Sequence, residues 1–148
     1  MKNISLVPKV FVDSNVLLDY MIPSRKGHDV VVNLFSLILT GKIEASFSTQ
    51  TILDVVYIGR RQLDFPEGFR ETLIYLITRT NASYIDTWDV KSALKDPNPD
   101  IEDSAQISFA YSQCCDVIVT RDKKLLSREV PKPIRVMTPE DFVNNCRA

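Results

Sequence analysis

The chain carries one histidine, three cysteines, and a formal net charge of −1 across 148 residues. Each shortage excludes something. Without a global excess of positive charge, no long-range field draws nucleic acid to the surface. A nucleic-acid partner would need local basic patches, or metal ions that reverse the sign of an acidic site. The cysteines, Cys114, Cys115 and Cys146, are odd in number and two are adjacent. They form a poor disulfide framework and lack zinc-ligand spacing, so reduced thiols in a cytoplasmic protein are expected. No apolar stretch approaches the roughly 18 residues of a membrane span. The longest, from Val30 to Leu39, is broken by Asn33 and Ser36, and the N-terminus has no long apolar segment of the secretory kind. Repeats, low-complexity tracts and linkers are absent as well, which predicts a single domain over 1–148, long enough to bury a sizeable core.

What is present is organised around Lys9-Val10-Phe11-Val12-Asp13-Ser14-Asn15-Val16-Leu17-Leu18-Asp19. A short apolar, β-branched run reads as a strand buried on both faces. It stops at Asp13. Ser14 and Asn15 favour a helix start, and Val16 to Leu18 begin a helical pattern. A strand that ends in Asp and turns directly into a helix sets that Asp at the carboxyl edge of a sheet, where open α/β sheets place ligands.

Further along, helices are predicted over Asn15 to Met21, His28 to Thr40 (with Gly41 as its stop signal), Thr49 to Arg60 or Arg61, Phe69 to Arg79, Asp89 to Leu94, Glu102 to Cys115 and Asp122 to Leu126. Strands are predicted over Glu44 to Ser48, Ala82 to Ile85, Val117 to Thr120 and Ile134 to Met137, and residues 63–68 as a loop. Thr138-Pro139-Glu140-Asp141 opens a last helix with Pro at its first position. Strands alternating with helices imply an α/β fold: a parallel sheet covered on both faces.

Four acids stand where one site can form. Asp13 and Asp122 follow strands. Asp103 lies one turn before Ile107 on a stripe continued by Ala110, Tyr111 and Cys114, which predicts an inward direction. Asp54 sits among Leu53, Val55, Val56 and Ile58, in a helix apolar nearly all round. Each acid also has a purely structural use. Asp13 and Asp122 can cap helices, Asp103 and its neighbours Asp100 and Glu102 can favour a helix dipole by about 0.3–1 kcal/mol, and Asp54 can face water. Together, however, they would repel by several kcal/mol in a partly dry site, and a hard divalent cation such as Mg²⁺ or Mn²⁺ is the usual remedy. The expectation is that Asp13, Asp103 and Asp122 converge.

The ordered set Val10–Asp19, then Asp100-Ile101-Glu102-Asp103-Ser104-Ala105-Gln106, then Val117-Ile118-Val119-Thr120-Arg121-Asp122-Lys123-Lys124, then Thr138-Pro139-Glu140-Asp141-Phe142 resembles the PIN domain, and most of all the bacterial PIN ribonucleases of the VapC toxin kind. The resemblance implies a three-layer sandwich with a central parallel sheet of about four to five strands. It implies Mg²⁺- or Mn²⁺-dependent cleavage of RNA, with Asp13, Asp103 and Asp122 as metal-binding acids supported by Ser14, Asn15 and Thr120. The family's second acid is usually Glu, and Asp54 holds the matching place. Glu102 is either an extra ligand or a solvent-facing residue. The resemblance further implies a homodimer and a small antitoxin partner.

In that chemistry the metals hold the phosphate, lower the pKa of a bound water and stabilise the leaving 3′ oxygen. His28 is expected to be uninvolved. Arg121, Lys123, Arg25 and Lys26 are candidates for RNA phosphate contacts, with a solvated surface charge as the alternative for each, and Arg60 and Arg61 share the ambiguity. Tyr57, Phe65, Phe69, Tyr75, Tyr84, Trp88 and Tyr111 read mostly as core or interface. A receiver-like domain would need an acidic pair after the first strand, and a haloacid-dehalogenase phosphatase Asp-x-Asp; Asp13-Ser14-Asn15 supplies neither. The remaining alternative is a PIN domain that binds RNA or protein with little or no cleavage.

Overall fold

A computed structural model describes residues 7–63 and 65–147. The elements run β1 (Lys9–Val12), α1 (Ser14–Met21), α2 (His28–Leu39), β2 (Glu44–Ser48), α3 (Thr49–Leu63), α4 (Phe69–Arg79), β3 (Asn81–Ser83), α5 (Thr87–Lys95), α6 (Ile101–Ser112), β4 (Val117–Val119), α7 (Lys123–Leu126), β5 (Arg135–Met137) and α8 (Pro139–Arg147). The strands form one parallel five-stranded sheet in the order β3-β2-β1-β4-β5. The order of elements is the one the sequence predicts, with boundaries shifted by a few residues. The third strand begins earlier than expected, at Asn81. The third helix continues to Leu63, shortening the expected loop, of which residue 64 lies outside the described residues.

Alternation of side chains along each strand divides the interior into two cores. Val10 and Val12 of β1, Val117 and Val119 of β4, and Ala45 and Phe47 of β2 pack with α1, α2, α3, α4 and α8. Phe11 and Ile118 point the other way, onto Ile107, Phe109 and Ala110 of α6 and Leu125 of α7. Helices therefore cover both faces, giving the three-layer α/β sandwich. Tyr20, Phe35 and Phe47 stack through the larger core, with the first two ring centroids 4.1 Å apart. Gly41, at φ 76°, stands just past α2 in the left-handed region that stops a helix cheaply.

The face of β2 toward α6 is polar. Ser46 and Ser48 are buried there, and the Ser48 hydroxyl donates to Gln106 Oε1 of α6 at 3.2 Å. With that proton committed, the hydroxyl of buried Thr51 donates to Ser48 Oγ at 3.0 Å. At the other end of α6, Asn81 Nδ2 donates to Gln113 Oε1 and to Ser46 Oγ. Hydrogen bonds, not apolar burial alone, set how α6 lies on this part of the sheet.

Two expectations about packing do not hold. Tyr111 and Cys114 are exposed, so the inward stripe of α6 is Ile107 and Ala110 without them, and Cys114 lies beyond the helix end at Ser112. Leu53 and Tyr57 are exposed as well, so α3 is apolar on one side only. Of the aromatic residues read as core or interface, Phe69 is buried and Phe65 half-buried, while Tyr57, Tyr75, Tyr84, Trp88 and Tyr111 face outward. Tyrosine and tryptophan lose less by exposure than aliphatic side chains because each carries a polar end, and Arg61 and Arg79 cover the Tyr57 and Tyr75 rings. Phe35→Ala removes the centre of the aromatic stack and is expected to cost about 3–5 kcal/mol in urea unfolding; a loss under about 1 kcal/mol would show that the stack is dispensable.

Candidate active site at the carboxyl edge of the sheet

The central strands β1 and β4 run side by side, with Val12 opposite Val119, and both end where an acid is delivered. Asp13 leaves β1 in extended backbone and caps α1, its Oδ1 accepting from Ser14 N at 2.8 Å. Its backbone N–H still bonds Val119 O at 3.1 Å. Its other oxygen accepts from the hydroxyl of Thr120 at 2.7 Å. Thr120, with no solvent exposure, in turn accepts from Asp122 N at 3.0 Å. One buried hydroxyl thus links the two strand-end acids. Asp122 caps α7, accepting from Lys124 N at 2.9 Å.

Asp103 enters from the first turn of α6. Asp100 is the N-cap of that helix and accepts from Asp103 N at 3.0 Å. Asp54 comes from α3 and accepts from Gln50 Nε2 at 2.8 Å. All four acids are half-buried, and Glu102 is exposed. Ser14 and Asn15 are half-buried in the first turn of α1.

Burial and neighbouring charge act on these acids together. Burial pushes the Asp13 carboxyl above its usual range, against the hydrogen bonds from Thr120 and Ser14, and the negative charges of Asp122 and Asp54 push it further. Burial also raises Asp103, to about 6, with Asp100, Asp122 and Asp13 adding to the effect. Asp13, Asp103 and Asp122 therefore lie within each other's fields, and Asp54 lies within that of Asp13. Among the described residues, none of the four belongs to an ion pair. Nor does any set of three His, Cys, Asp or Glu side chains among them stand in place to hold a metal ion. The acids are neighbours rather than a closed ligand shell: Asp13, Asp122 and Asp54 are each turned to a local donor. The donors are nonetheless all carboxylate oxygens with no ion-pair partner among the described residues, which is the composition that suits a hard divalent ion.

The basic residues sort differently from the sequence expectation. Arg121 Nε bonds Asp19 Oδ2, and its Nη1 pairs with Glu140 at 2.8 Å. Arg25 Nε pairs with the other oxygen of Asp19 at 2.8 Å. Burial weakens the Arg121 charge, but bonds to Glu140 and Asp19 outweigh it and raise its pKa. Both guanidinium groups are thus engaged by the protein's own carboxylates, whereas Lys26 and Lys123 are exposed. His28 donates through Nδ1 to the Asp19 carbonyl at 2.8 Å, a structural role. Asp19, only 3% exposed, went unnoticed in the sequence, although a carboxylate among Val16, Leu17, Leu18 and Met21 signals a buried ion-pair partner. Ser48, Thr51 and Gln106 were also unmarked. The three cysteines are free, and burial lifts the Cys115 thiol to about 11.

The model of the PIN domain family matches residues 9–124. The chain belongs to the PIN domain family. It is similar to ribonuclease VapC1 of Aquifex aeolicus, 27% identical over 144 residues that cover 90% of this chain and 92% of that one. In three dimensions this PIN domain resembles VapC20 of Mycobacterium tuberculosis, described as a sarcin-ricin loop cleaving toxin, with a TM-score of 0.66 at 10% identity over 83% of this chain and 97% of that one. It also resembles a chain of the DNA-bound VapBC complex of Salmonella typhimurium, with a TM-score of 0.63 at 18% identity, covering 90% and 99% of the two chains. At those identities the structural likeness speaks to fold.

Two consequences can be measured. Thr120→Val keeps the shape but leaves Asp13 Oδ2 and Asp122 N without their shared partner, and is expected to cost about 1–3 kcal/mol, whereas Thr120→Ser should cost distinctly less; equal losses would refute the linking role. Asp103 binds its proton more tightly folded than unfolded, so its contribution to stability is full below the ordinary 3.8 and is lost as pH rises through about 6. In metal-free protein, Asp103→Asn should therefore raise Tm relative to wild type at about pH 7.5 and not at about pH 3.5.

Proposed function

We propose that this PIN domain is a metal-dependent ribonuclease of the VapC kind, a single domain over 1–148 that hydrolyses RNA phosphodiester bonds as the toxin of a toxin–antitoxin pair. The observation that carries the reading is the Thr120-bridged pair Asp13 and Asp122 at the carboxyl edge, close to Asp103 and in no ion pair among the described residues. The likeness to ribonuclease VapC1 of Aquifex aeolicus supplies the substrate class. Asp13, Asp103 and Asp122 would hold Mg²⁺ or Mn²⁺, Asp54 would reach it directly or through water, and Glu102 remains a further candidate at the rim.

Such an ion, when bound, activates water for attack on phosphorus and offsets charge on the departing oxygen. The chain's own part is positional. Thr120 holds Asp13 and Asp122 in one frame, Asp100 fixes the first turn of α6, and Ser14 N holds Asp13 against α1. Exposed Lys123, Lys26 and Arg60 are candidates to meet RNA phosphates. A homodimer, a small antitoxin that closes the site and a cytoplasmic location belong to the same proposal. The antitoxin is suggested by VapBC complexes among the structural relatives.

A second reading, a PIN domain that binds RNA or protein without cutting, is favoured by one observation: Asp54, shorter than the family's usual Glu, is bonded to Gln50. Incubation of a mixed labelled RNA pool with purified protein, in Mg²⁺, Mn²⁺ or EDTA, separates the two. Cleavage that needs metal and falls at least about a hundredfold in Asp13→Asn is expected. No cleavage in either metal, by folded protein free of any copurified partner, would transfer the case to the binding reading.

A further inference from the structure

Arg121 is placed between Thr120 and Asp122, yet its half-buried side chain is bonded to carboxylates of other elements, around buried Asp19. Its Nε reaches Asp19 Oδ2 in α1 and its Nη1 reaches Glu140 in α8. Arg25 takes the remaining oxygen of Asp19. Two guanidinium groups are paired with two carboxylates, so Arg121 and Arg25 are engaged within the protein, and among the described residues the unpaired cation beside them is exposed Lys26. Gly27 closes the cluster: a Cβ at that position would overlap Asp19 Oδ2 and come within 2.5 Å of Arg121 Nη2. Nη2 itself is buried, with no hydrogen-bond partner among the described residues.

The cluster also has leverage on the acids. Asp13 caps α1 and Asp19 lies six residues on in the same helix, about 9 Å along its axis. The turn carrying Asp122 is therefore fastened to α1 at two separated points, by Thr120 on Asp13 and by Arg121 on Asp19. One point alone is a pivot; two define an orientation. We propose that Arg121 is a positioning residue for Asp122, bracing the β4–α7 turn against α1 and α8, and that it does not contact RNA phosphate. This rests on the metal-site reading above.

The test measures Mn²⁺ binding to wild type, Arg121→Gln and Glu140→Gln by titration with Mn²⁺ alone, each below its own Tm. Binding of a labelled RNA pool in EDTA at several salt concentrations is measured alongside. Glu140→Gln is the milder variant, since it loosens one anchor without stranding the Asp19 charge, and it serves if Arg121→Gln does not fold. A brace predicts Mn²⁺ affinity weakened about tenfold or more in Arg121→Gln, as for groups that orient metal ligands, and several-fold in Glu140→Gln. The slope of log affinity for RNA against log salt should stay at its wild-type value. A slope reduced by about one in Arg121→Gln would identify a phosphate contact and overturn the proposal. Unchanged Mn²⁺ affinity in the folded variants would overturn it while leaving the metal site intact. Wild-type protein that takes up no Mn²⁺ would instead remove the metal-site reading, and the brace with it.

Discussion

The hydroxyl of Thr120 is held between the two central strands, donating to Asp13 Oδ2 and accepting from Asp122 N. Two strand ends in a parallel sheet, covalently remote from one another, acquire a common frame through that one group. It works because the hydroxyl has no water to compete for it, and because a hydroxyl can donate and accept at once. The sheet brings β1 and β4 alongside each other, and the threonine converts this adjacency into a fixed relation between two carboxylates.

Around this frame the protein keeps two kinds of charge apart. Buried Asp19 and half-buried Glu140 are answered by Arg25 and Arg121, themselves half-buried. Asp13, Asp103 and Asp122 are left in each other's fields, with Asp54 beside Asp13. Nothing about carboxylates in general enforces the difference, since the two groups meet across a single turn at Arg121 and Asp122. It follows from which side of the turn the guanidinium takes. Had Arg121 folded over the acids, it would have neutralised the edge and left Asp19 buried with Arg25 alone.

Much of this was legible in the sequence. The run from Val10 to Val12 announced a strand buried on both faces, and Asp13 and Asp122 announced themselves as acids at strand ends, because such ends are marked by a break in the apolar pattern. Gly41 and Pro139 marked helix boundaries by backbone preference alone. What escaped notice depends on three-dimensional neighbours. Asp19 looks like one polar residue on a short helix until Arg121, 102 positions away, is brought to it. The polar face of β2 is spelled Ser46 and Ser48, an alternation that reads equally well as a solvent face. The stripe of α6 failed at Tyr111 and Cys114 because helical spacing assigns a side but cannot say where the covering layer ends.

The apolarity of β1 on both faces has one more outcome. Sliding this strand by one position would exchange Val and Phe between the two cores, yet every side chain would still meet hydrocarbon, so hydrophobicity alone is a weak guard of alignment. The guards are at its ends, where Lys9 N bonds Asp116 Oδ2 and Asp13 N bonds Val119 O, with the Asp13 side chain locked to Thr120. The residue proposed for chemistry is thereby also the keystone of strand alignment. Replacing it by alanine would remove a charge and unlatch a strand together, so lost activity in such a protein would say little about catalysis; asparagine keeps one of the two acceptors and disturbs the latch less.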